Sequence, residues 1–314
     1  MTTRFRRVTQ REGLLFHGPY GWAEAAPFWD YSPGESSIWL RSALRSALEP
    51  APSVLRDSVP VNVTIPVTSA EDGAARVRDS GGCATAKVKV ADPGVDSAFD
   101  CARVEAVAEA LFATVGERAR LRVDVNGAWD VDEAIQNIRD LNTAAQTIGG
   151  LEYVEQPCVA VDDLAAVRVA VDVPIAADES IRRSSDPLAV ARAGAADIAV
   201  IKVAPLGGVD RAVKIAQDTG LTVVVSSALE TSVGLAQGVH AAAALPELPY
   251  ACGLATSQLL ASDITASPLL PEDGIIRLRE VIPDETLINS ERLPEGVYEN
   301  WLGRLSAMCD VVEA

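Results

Sequence analysis

Charged side chains recur at the ends of apolar, β-branched segments along the middle of the chain. A charge within such a segment is costly unless it is paired or bound to a metal. Five consecutive segments carry one, each a strand–helix unit after the last, and this register predicts a single functional site. The segments are AKVKV with Lys87 and Lys89, RVDVNG with Asp124, EQP with Glu155, DES with Asp178 and Glu179, and IKV with Lys202.

The acids Asp124, Glu155 and Asp178 form an all-oxygen, triply anionic set. Mg²⁺ prefers such ligands and binds a few carboxylates while keeping positions for water or substrate oxygens. We therefore predict one divalent ion at this place, Mg²⁺ with Mn²⁺ as the alternative. The competing interpretation is that the acids only form ion pairs with the neighbouring lysines.

Lysines stand on both sides of the acids, since Lys89 precedes them and Lys202 follows them. A nearby dication and partial burial both disfavour an ammonium, so each amine is expected to lose its proton near neutral pH and to act as a base. Lys87 shares a strand face with Lys89 and, as a like charge, should lower the pKa of Lys89 further. The implied reaction is proton abstraction beside the carboxylate of a small-molecule substrate, with the metal neutralising the enediolate.

The elements that must position these groups form a regular alternation. Near-continuous apolar runs, typical of buried parallel strands, are separated by amphipathic stretches with helical periodicity. Eight such units favour a (β/α)8-type, TIM-like barrel, whose active site lies at the carboxyl ends of the strands. A doubly wound sheet is the alternative, although no GxGxxG follows the first run. The runs are 59–66, 83–90, 120–126, 151–157, 174–179, 197–203, 221–227 and 251–256.

The ends of the chain differ from this middle part. We predict a small α+β capping domain over residues 1–58, the barrel with the active site over 59–260, and a C-terminal segment, 261–314, that packs back on the cap and completes it. The first 40 residues are rich in aromatic side chains, which favours a compact small core, a lid over the barrel mouth, or both.

Composition limits the classes of function. The 314 residues are 48% hydrophobic, and the net charge of −17 disfavours nucleic acid and anionic membranes as partners. No window approaches the roughly 18 apolar residues that span a bilayer, and the basic start lacks an apolar signal core, so we expect a cytoplasmic protein. Only His17 and His240 are present, which excludes a three-histidine zinc site. No pattern in the sequence indicates an oligomeric state.

In combination, the KxK pair, DVNGAW, EQP, DES and IKVAPLGG resemble the enolase superfamily, in its muconate-lactonizing subgroup. The resemblance implies Asp124, Glu155 and Asp178 as metal ligands, supported by Glu179 and Asn126. It also implies Lys89 and Lys202 as the acid–base pair, a Lys-and-Mg²⁺ chemistry that is general in this superfamily.

Within that subgroup, Arg122 before the first acid, SSALETSVGLA and GLAT resemble the enzymes that dehydrate a succinyl-hydroxycyclohexadiene carboxylate to o-succinylbenzoate in menaquinone synthesis. The resemblance implies that Lys89 takes the proton and returns it to the departing hydroxyl, with Lys202 on the other side of the ring. It further implies Arg122, Ser227 and the Gly253 backbone as substrate-binding. Two alternatives stay open: an N-succinylamino acid racemase or dipeptide epimerase with the same lysines, and a catalytically silent barrel used for binding.

Overall fold

The computed structural model describes residues 1–3, 5, 8–288 and 293–313. Its N-terminal part contains an antiparallel hairpin and a long helix. Ser32 caps the helix, accepting a hydrogen bond from the backbone of Glu35, whose side chain in turn accepts from the Ser32 backbone. These elements are β1 (Leu14–Gly18), β2 (Gly21–Ala25), α1 (Pro33–Leu48) and the short strand β3 (Ser58–Pro60).

A parallel sheet follows, in which neighbours along the chain are also neighbours in space. Within the described residues the sheet has seven strands, and nearly every residue in them is buried, as expected when helices cover the outer face. The strands are β4 (Asn62–Ile65), β5 (Thr85–Lys89), β6 (Arg120–Asp124), β7 (Tyr153–Glu155), β8 (Ile175–Ala177), β9 (Ile198–Ile201) and β10 (Thr222–Val225).

Helices connect the successive strands. Asp130 begins one of them with a capping box, in which its side chain accepts from the Glu133 backbone at 2.9 Å. The connecting helices are α2 (Ala70–Arg78), α3 (Ser97–Val115), α4 (Val131–Ala144), α5 (Val161–Ala170), α6 (Glu179–Arg182), α7 (Ala189–Arg192), α8 (Val203–Leu206) and α9 (Val209–Thr219), and α10 (Ser232–Ala244) follows β10.

The eighth predicted run, 251–256, is not a regular strand. Cys252 and Gly253 form single bridges, one to each edge of the sheet: Cys252 pairs with Val61 beside β4, and Gly253 pairs with Ser226 beside β10. Backbone hydrogen bonds of 2.7 to 2.9 Å join Cys252 to the neighbours of Val61, at 60 and 62, and Gly253 to the neighbours of Ser226, at 225 and 227. The chain then turns into a 3-10 helix at Thr256–Leu259, which leaves too few residues for a ladder. The barrel is therefore closed, but by two bridges in place of a strand.

The C-terminal part contacts the N-terminal part. The strand β11 (Ile275–Arg277) pairs antiparallel with β3, and two helices follow, α11 (Glu285–Ile288) and α12 (Val297–Glu313). On α12 the Trp301 ring lies 5.0 Å from that of Trp29, and Arg304 donates to the Phe28 carbonyl at 2.5 Å. The boundaries 58/59 and 260/261 stay a prediction. In the described part of the chain, no helix has both the length and the apolar character needed to cross a membrane.

Candidate active site

Strand register brings the first three charged residues to one level of the barrel. Lys89 on β5 pairs with Asp124 on β6, and Asp124 pairs with Glu155 on β7. All three lie at the carboxyl ends of their strands, where parallel strands present their last side chains to one rim. The pairing register of the strands therefore places these three side chains next to one another.

The other two groups follow the next strands. Asp178 comes directly after β8, at the start of the short helix α6, and Lys202 comes directly after β9. The Lys202 amine lies 2.5 Å from Asp178 Oδ2. Since β6, β7 and β8 stand between β5 and β9 in the sheet, the three acids lie between Lys89 and Lys202. The five predicted groups are thus brought together at one rim.

Ion pairs connect these groups. The Lys87 amine lies 2.8 Å from Glu155 Oε2 and 3.0 Å from Asp124 Oδ2. Lys89 donates to the same Oδ2 of Asp124. Each acid is at most 1% exposed, so water screens these charges weakly.

Burial and neighbouring charges separate the pKa values of the two lysines. Burial acts to lower the pKa of Lys87, but the carboxylates of Asp124 and Glu155 outweigh it and raise that pKa above its ordinary value. Burial also lowers the pKa of Lys89, and here the charge of Lys87 adds to the decrease against the opposing effect of Asp124. Lys87 is therefore a permanent cation beside an amine that loses its proton more easily, as the sequence predicted.

The carboxyl groups are affected in opposite directions. The pKa of Asp124 is well below its usual range because Lys87, Lys89 and Lys202 outweigh the effect of its burial. Arg182 and Lys202 likewise overcome burial and hold the pKa of Asp178 low. Glu155 differs, since burial and the charge of Asp124 raise its pKa to about 7.

The buried acids have fewer hydrogen-bond donors around them than their carboxylate oxygens can accept. Among the described residues, no three or more Asp, Glu, His or Cys side chains are arranged around a common point as metal ligands would be. Lysines donate to one oxygen of Glu155 and one of Asp178. Yet Asp124 Oδ1 and Glu155 Oε1 are buried and accept no hydrogen bond from the described residues. Orphaned anionic oxygens are expensive without a cation. The three-carboxylate donor set therefore fits a hard divalent ion better than a closed network of ion pairs.

Asn126 and Glu179 connect the lysine to the far side of the rim. Lys89 donates to Asn126 Oδ1 at 2.7 Å, and Asn126 Nδ2 donates to Glu179 Oε1 at 3.1 Å. Asn126 has a φ of 54°, in the left-handed region that asparagine tolerates better than most residues. This turn directs its side chain back over the strand ends and fixes the position of the Lys89 amine.

A small cavity of about 30 Å³ lies against the amines, between the barrel rim and the N-terminal part. Ser227 and Gly253, for which substrate binding is a prediction, both line it. A Cβ on Gly253 would lie 2.5 Å from Ser226 Oγ, so any larger residue at that closing bridge requires the Ser226 side chain to shift. The other lining residues are Phe5, Phe28, Thr64, Lys87, Lys89, Asp124, Asn126, Lys202, Ser226, Ala228, Leu229 and Thr256.

Thr64 is a lining residue that the sequence analysis missed. It lies on β4 beside Lys87, is 4% exposed, and its hydroxyl has no hydrogen-bond partner among the described residues. A buried, unpaired hydroxyl at a cavity wall is available to a ligand. One signal in the sequence could have indicated it. Thr64 is a polar residue two positions after Asn62, so both side chains lie on the inward face of the first barrel strand.

Arg122 lies elsewhere than predicted. It is absent from the cavity wall and fully buried one layer deeper in the barrel, two residues before Asp124 on the same strand face. Its guanidinium donates to Glu152 at 2.5 Å, to the Tyr153 hydroxyl at 3.0 Å and to the Ala251 carbonyl at 2.8 Å. With its donors occupied by the protein, Arg122 fills the barrel interior, and its position does not support substrate binding.

Comparison with known proteins relates this chain to two enolase-like domain families, to o-succinylbenzoate synthases and to a muconate lactonizing enzyme. Residues 69–283 match the family described as enolase C-terminal domain-like, and residues 1–47 match enolase N-terminal domain-like. The o-succinylbenzoate synthase of Thermobifida fusca is 53% identical over 98% of this chain and 93% of its own. That of Mycolicibacterium smegmatis is 49% identical over 98% and 92%. The muconate lactonizing enzyme of Pseudomonas fluorescens, solved with muconolactone, aligns with TM-score 0.65 and 28% identity over 75% of this chain and 64% of its own.

Proposed function

The chain belongs to the enolase superfamily and to its o-succinylbenzoate synthase family. From this membership we propose that the enzyme converts 2-succinyl-6-hydroxy-2,4-cyclohexadiene-1-carboxylate to o-succinylbenzoate, with loss of water, in menaquinone synthesis. The reaction takes place at the rim of the barrel described above. The enzyme is a hydro-lyase, and enzymes of this superfamily depend on a divalent metal. One structural observation carries the assignment of residues: two amines reach one cavity, with three carboxylates on the strands between them.

The metal ligands in this proposal are Asp124, Glu155 and Asp178, with Mg²⁺ as the ion. The orphaned oxygens of Asp124 and Glu155 support it. When bound, the ion supplies positive charge beside the substrate carboxylate as negative charge develops there. Lys87, a cation within 3.0 Å of two of these acids, balances part of their negative charge.

Lys89 is the proposed acid–base residue. Burial and the charge of Lys87 lower its pKa, which favours the neutral amine that a base requires, and its bond to Asn126 fixes the direction of the nitrogen. The amine removes the proton from the ring carbon that bears the carboxylate. It then returns that proton to the departing hydroxyl, which leaves as water from the same face while the ring becomes aromatic.

Lys202 is proposed to face the other side of the ring. It is 6% exposed and lines the same cavity from the strand beyond the acids. There it stabilises the developing enediolate electrostatically, at a site whose burial strengthens the effect of a charge.

Thr64, Ser227 and the Gly253 backbone are the proposed contacts to the substrate. The cavity between them, of about 30 Å³, is large enough for a water molecule but far smaller than a substituted ring. The side chains that close it from above, Phe5 and Phe28, must therefore shift when substrate enters.

The test incubates the protein and Mg²⁺ with each of two substrates, the cyclohexadiene carboxylate and an N-succinylamino acid. The proposal predicts that ultraviolet absorbance reports the aromatic product from the cyclohexadiene carboxylate, and that Lys89→Ala abolishes both turnover and exchange of the substrate proton with D₂O. Lys214→Met, at an exposed lysine on α9, is the control and should keep full activity.

Other outcomes would change the assignment. Racemisation of an N-succinylamino acid without dehydration would select the racemase, for which two opposed lysines are equally suited. If Asp124→Asn changes neither the metal affinity nor any turnover of the unaltered protein, the silent barrel would be selected.

A further inference from the structure

A buried arginine connects the proposed metal ligands to the N-terminal part of the chain. Arg182, at the end of α6, is 5% exposed. Its Nε donates to Asp178 Oδ1 at 2.9 Å and its Nη2 donates to Glu179 Oε1 at 2.5 Å. The remaining nitrogen, Nη1, donates to the Tyr31 hydroxyl. One planar guanidinium thus holds two acids of the rim and one residue from outside the barrel.

The fork decides which oxygen of Asp178 faces the other ligands. Because Arg182 occupies Oδ1, only Oδ2 is directed to the side where Lys202 lies. Arg182 also fixes one oxygen of Glu179. The Oε1 atom accepts from Arg182 and Asn126, while Oε2 has no partner in the described residues. A guanidinium can fix both acids because its donors are rigid and coplanar, which the single amine of lysine cannot imitate.

Tyr31 belongs to the aromatic cluster of the N-terminal part. Its ring lies 5.8 Å from Phe28 and 6.1 Å from Trp39, and Phe28 is one of the side chains above the cavity. The residue is 6% exposed, so its hydroxyl cannot exchange Arg182 for water without a local rearrangement. The packing of this cluster and the orientation of Asp178 therefore depend on one another.

We propose that Arg182 is a positioning residue that orients Asp178 and Glu179 for the divalent ion, and that Tyr31 transmits the packing of the N-terminal aromatic cluster to those acids through it. The proposal rests on the metal site assigned above. Coupling of this kind is reciprocal: if the Tyr31 contact favours the ion, the ion favours the packed cluster to the same extent.

The experiment measures Mn²⁺ affinity, from the electron paramagnetic resonance signal of the free ion, in the unaltered protein and in Arg182→Lys. We expect the dissociation constant to rise by roughly 10- to 100-fold, as for other residues that orient metal ligands. Turnover should return at high Mn²⁺. The matched control is Arg45→Lys, because Arg45 on α1 bonds Asp210 across the boundary between the N-terminal part and the barrel but makes no hydrogen bond, ion pair or ring contact with Asp178, Glu179 or Tyr31 within the described residues, and the Mn²⁺ affinity of this variant should stay unchanged.

Tyr31→Phe tests the second half of the proposal and retains the aromatic packing should Arg182→Lys fail to fold. It should weaken Mn²⁺ binding less than Arg182→Lys does, and it should have no further effect in the Arg182→Lys background. Equal affinity in Arg182→Lys and the unaltered protein would overturn the positioning role, and additive effects would overturn the transmission through Arg182. Failure of the unaltered protein to bind Mn²⁺ would overturn the metal assignment as well, a result distinguishable from the other two.

Discussion

Substitution of Lys87 by methionine tests the electrostatics of the site. The Lys87 and Lys89 amines contact the same oxygen of Asp124, so they lie within the roughly 6 Å over which one charge shifts the pKa of another. At about 5 Å and an effective dielectric constant of about 20, two unit charges repel by about 3 kcal/mol. This corresponds to about two pH units in the protonation of Lys89.

The sign follows from which form of Lys89 is active. Lys87 disfavours the ammonium form of Lys89, so removing its charge raises the pKa of Lys89. Because the neutral amine is the base, the acid limb of kcat/KM against pH should move upward by about two pH units in Lys87→Met. On the sloping part of the acid limb this is a loss of roughly 100-fold in kcat/KM at a given pH, recovered at higher pH.

The assay is the pH profile of kcat/KM for aromatic product formation at saturating Mg²⁺. Lys214→Met is the control, since that lysine is exposed and pairs only with Asp218 on its own helix. Its profile should match that of the unaltered protein. An acid limb that stays in place in Lys87→Met, or moves to lower pH, would refute the argument that Lys87 tunes Lys89.

Three further predictions concern other groups of the site. Since burial and Asp124 raise the pKa of Glu155 to about 7, Mg²⁺ binding at pH 7 should release about half a proton from this carboxyl group. Calorimetry in buffers of different ionisation enthalpy measures the release, and no release would contradict the role of Glu155 as a ligand. The affinity should consequently weaken as the pH falls below 7. Thr64→Val should raise KM by roughly fivefold, the value of about one hydrogen bond, with circular dichroism unchanged, and an unaltered KM would remove Thr64 from the substrate contacts. Lys202→Ala should lower kcat by roughly 100-fold or more while Mn²⁺ still binds, and near-normal kcat would exclude its electrostatic role.

The charged strand ends were predictable because two simple periodicities determine them. Parallel strands end at one rim, and alternate residues share a face, so Lys89, Asp124 and Glu155 could be placed together from spacing alone. The same reasoning could not give the depth of a residue in the barrel. Arg122 lies on the same face as Asp124, but one layer deeper, and its partners Glu152 and Ala251 come from loops whose path no local pattern specifies.

The closing run and the arginine fork depend on tertiary contacts. The segment 251–256 is apolar enough to be predicted as a strand, but it is confined between two edges of a nearly closed sheet and forms only single bridges. Arg182 follows Asp178 by four residues, which suggests an ordinary helical ion pair. Only the fold shows that its third nitrogen meets Tyr31, 151 positions away in sequence.

In the proposed site, three acids hold one divalent ion while two amines approach its substrate from opposite sides. A crystal structure with Mn²⁺ and o-succinylbenzoate tests it most directly, because anomalous scattering locates the ion independently of its ligands. We expect one peak at about 2.0 to 2.2 Å from an oxygen of each of Asp124, Glu155 and Asp178, with the product ring between Lys89 and Lys202. A peak elsewhere, or a product lying outside the space between the two amines, would contradict it.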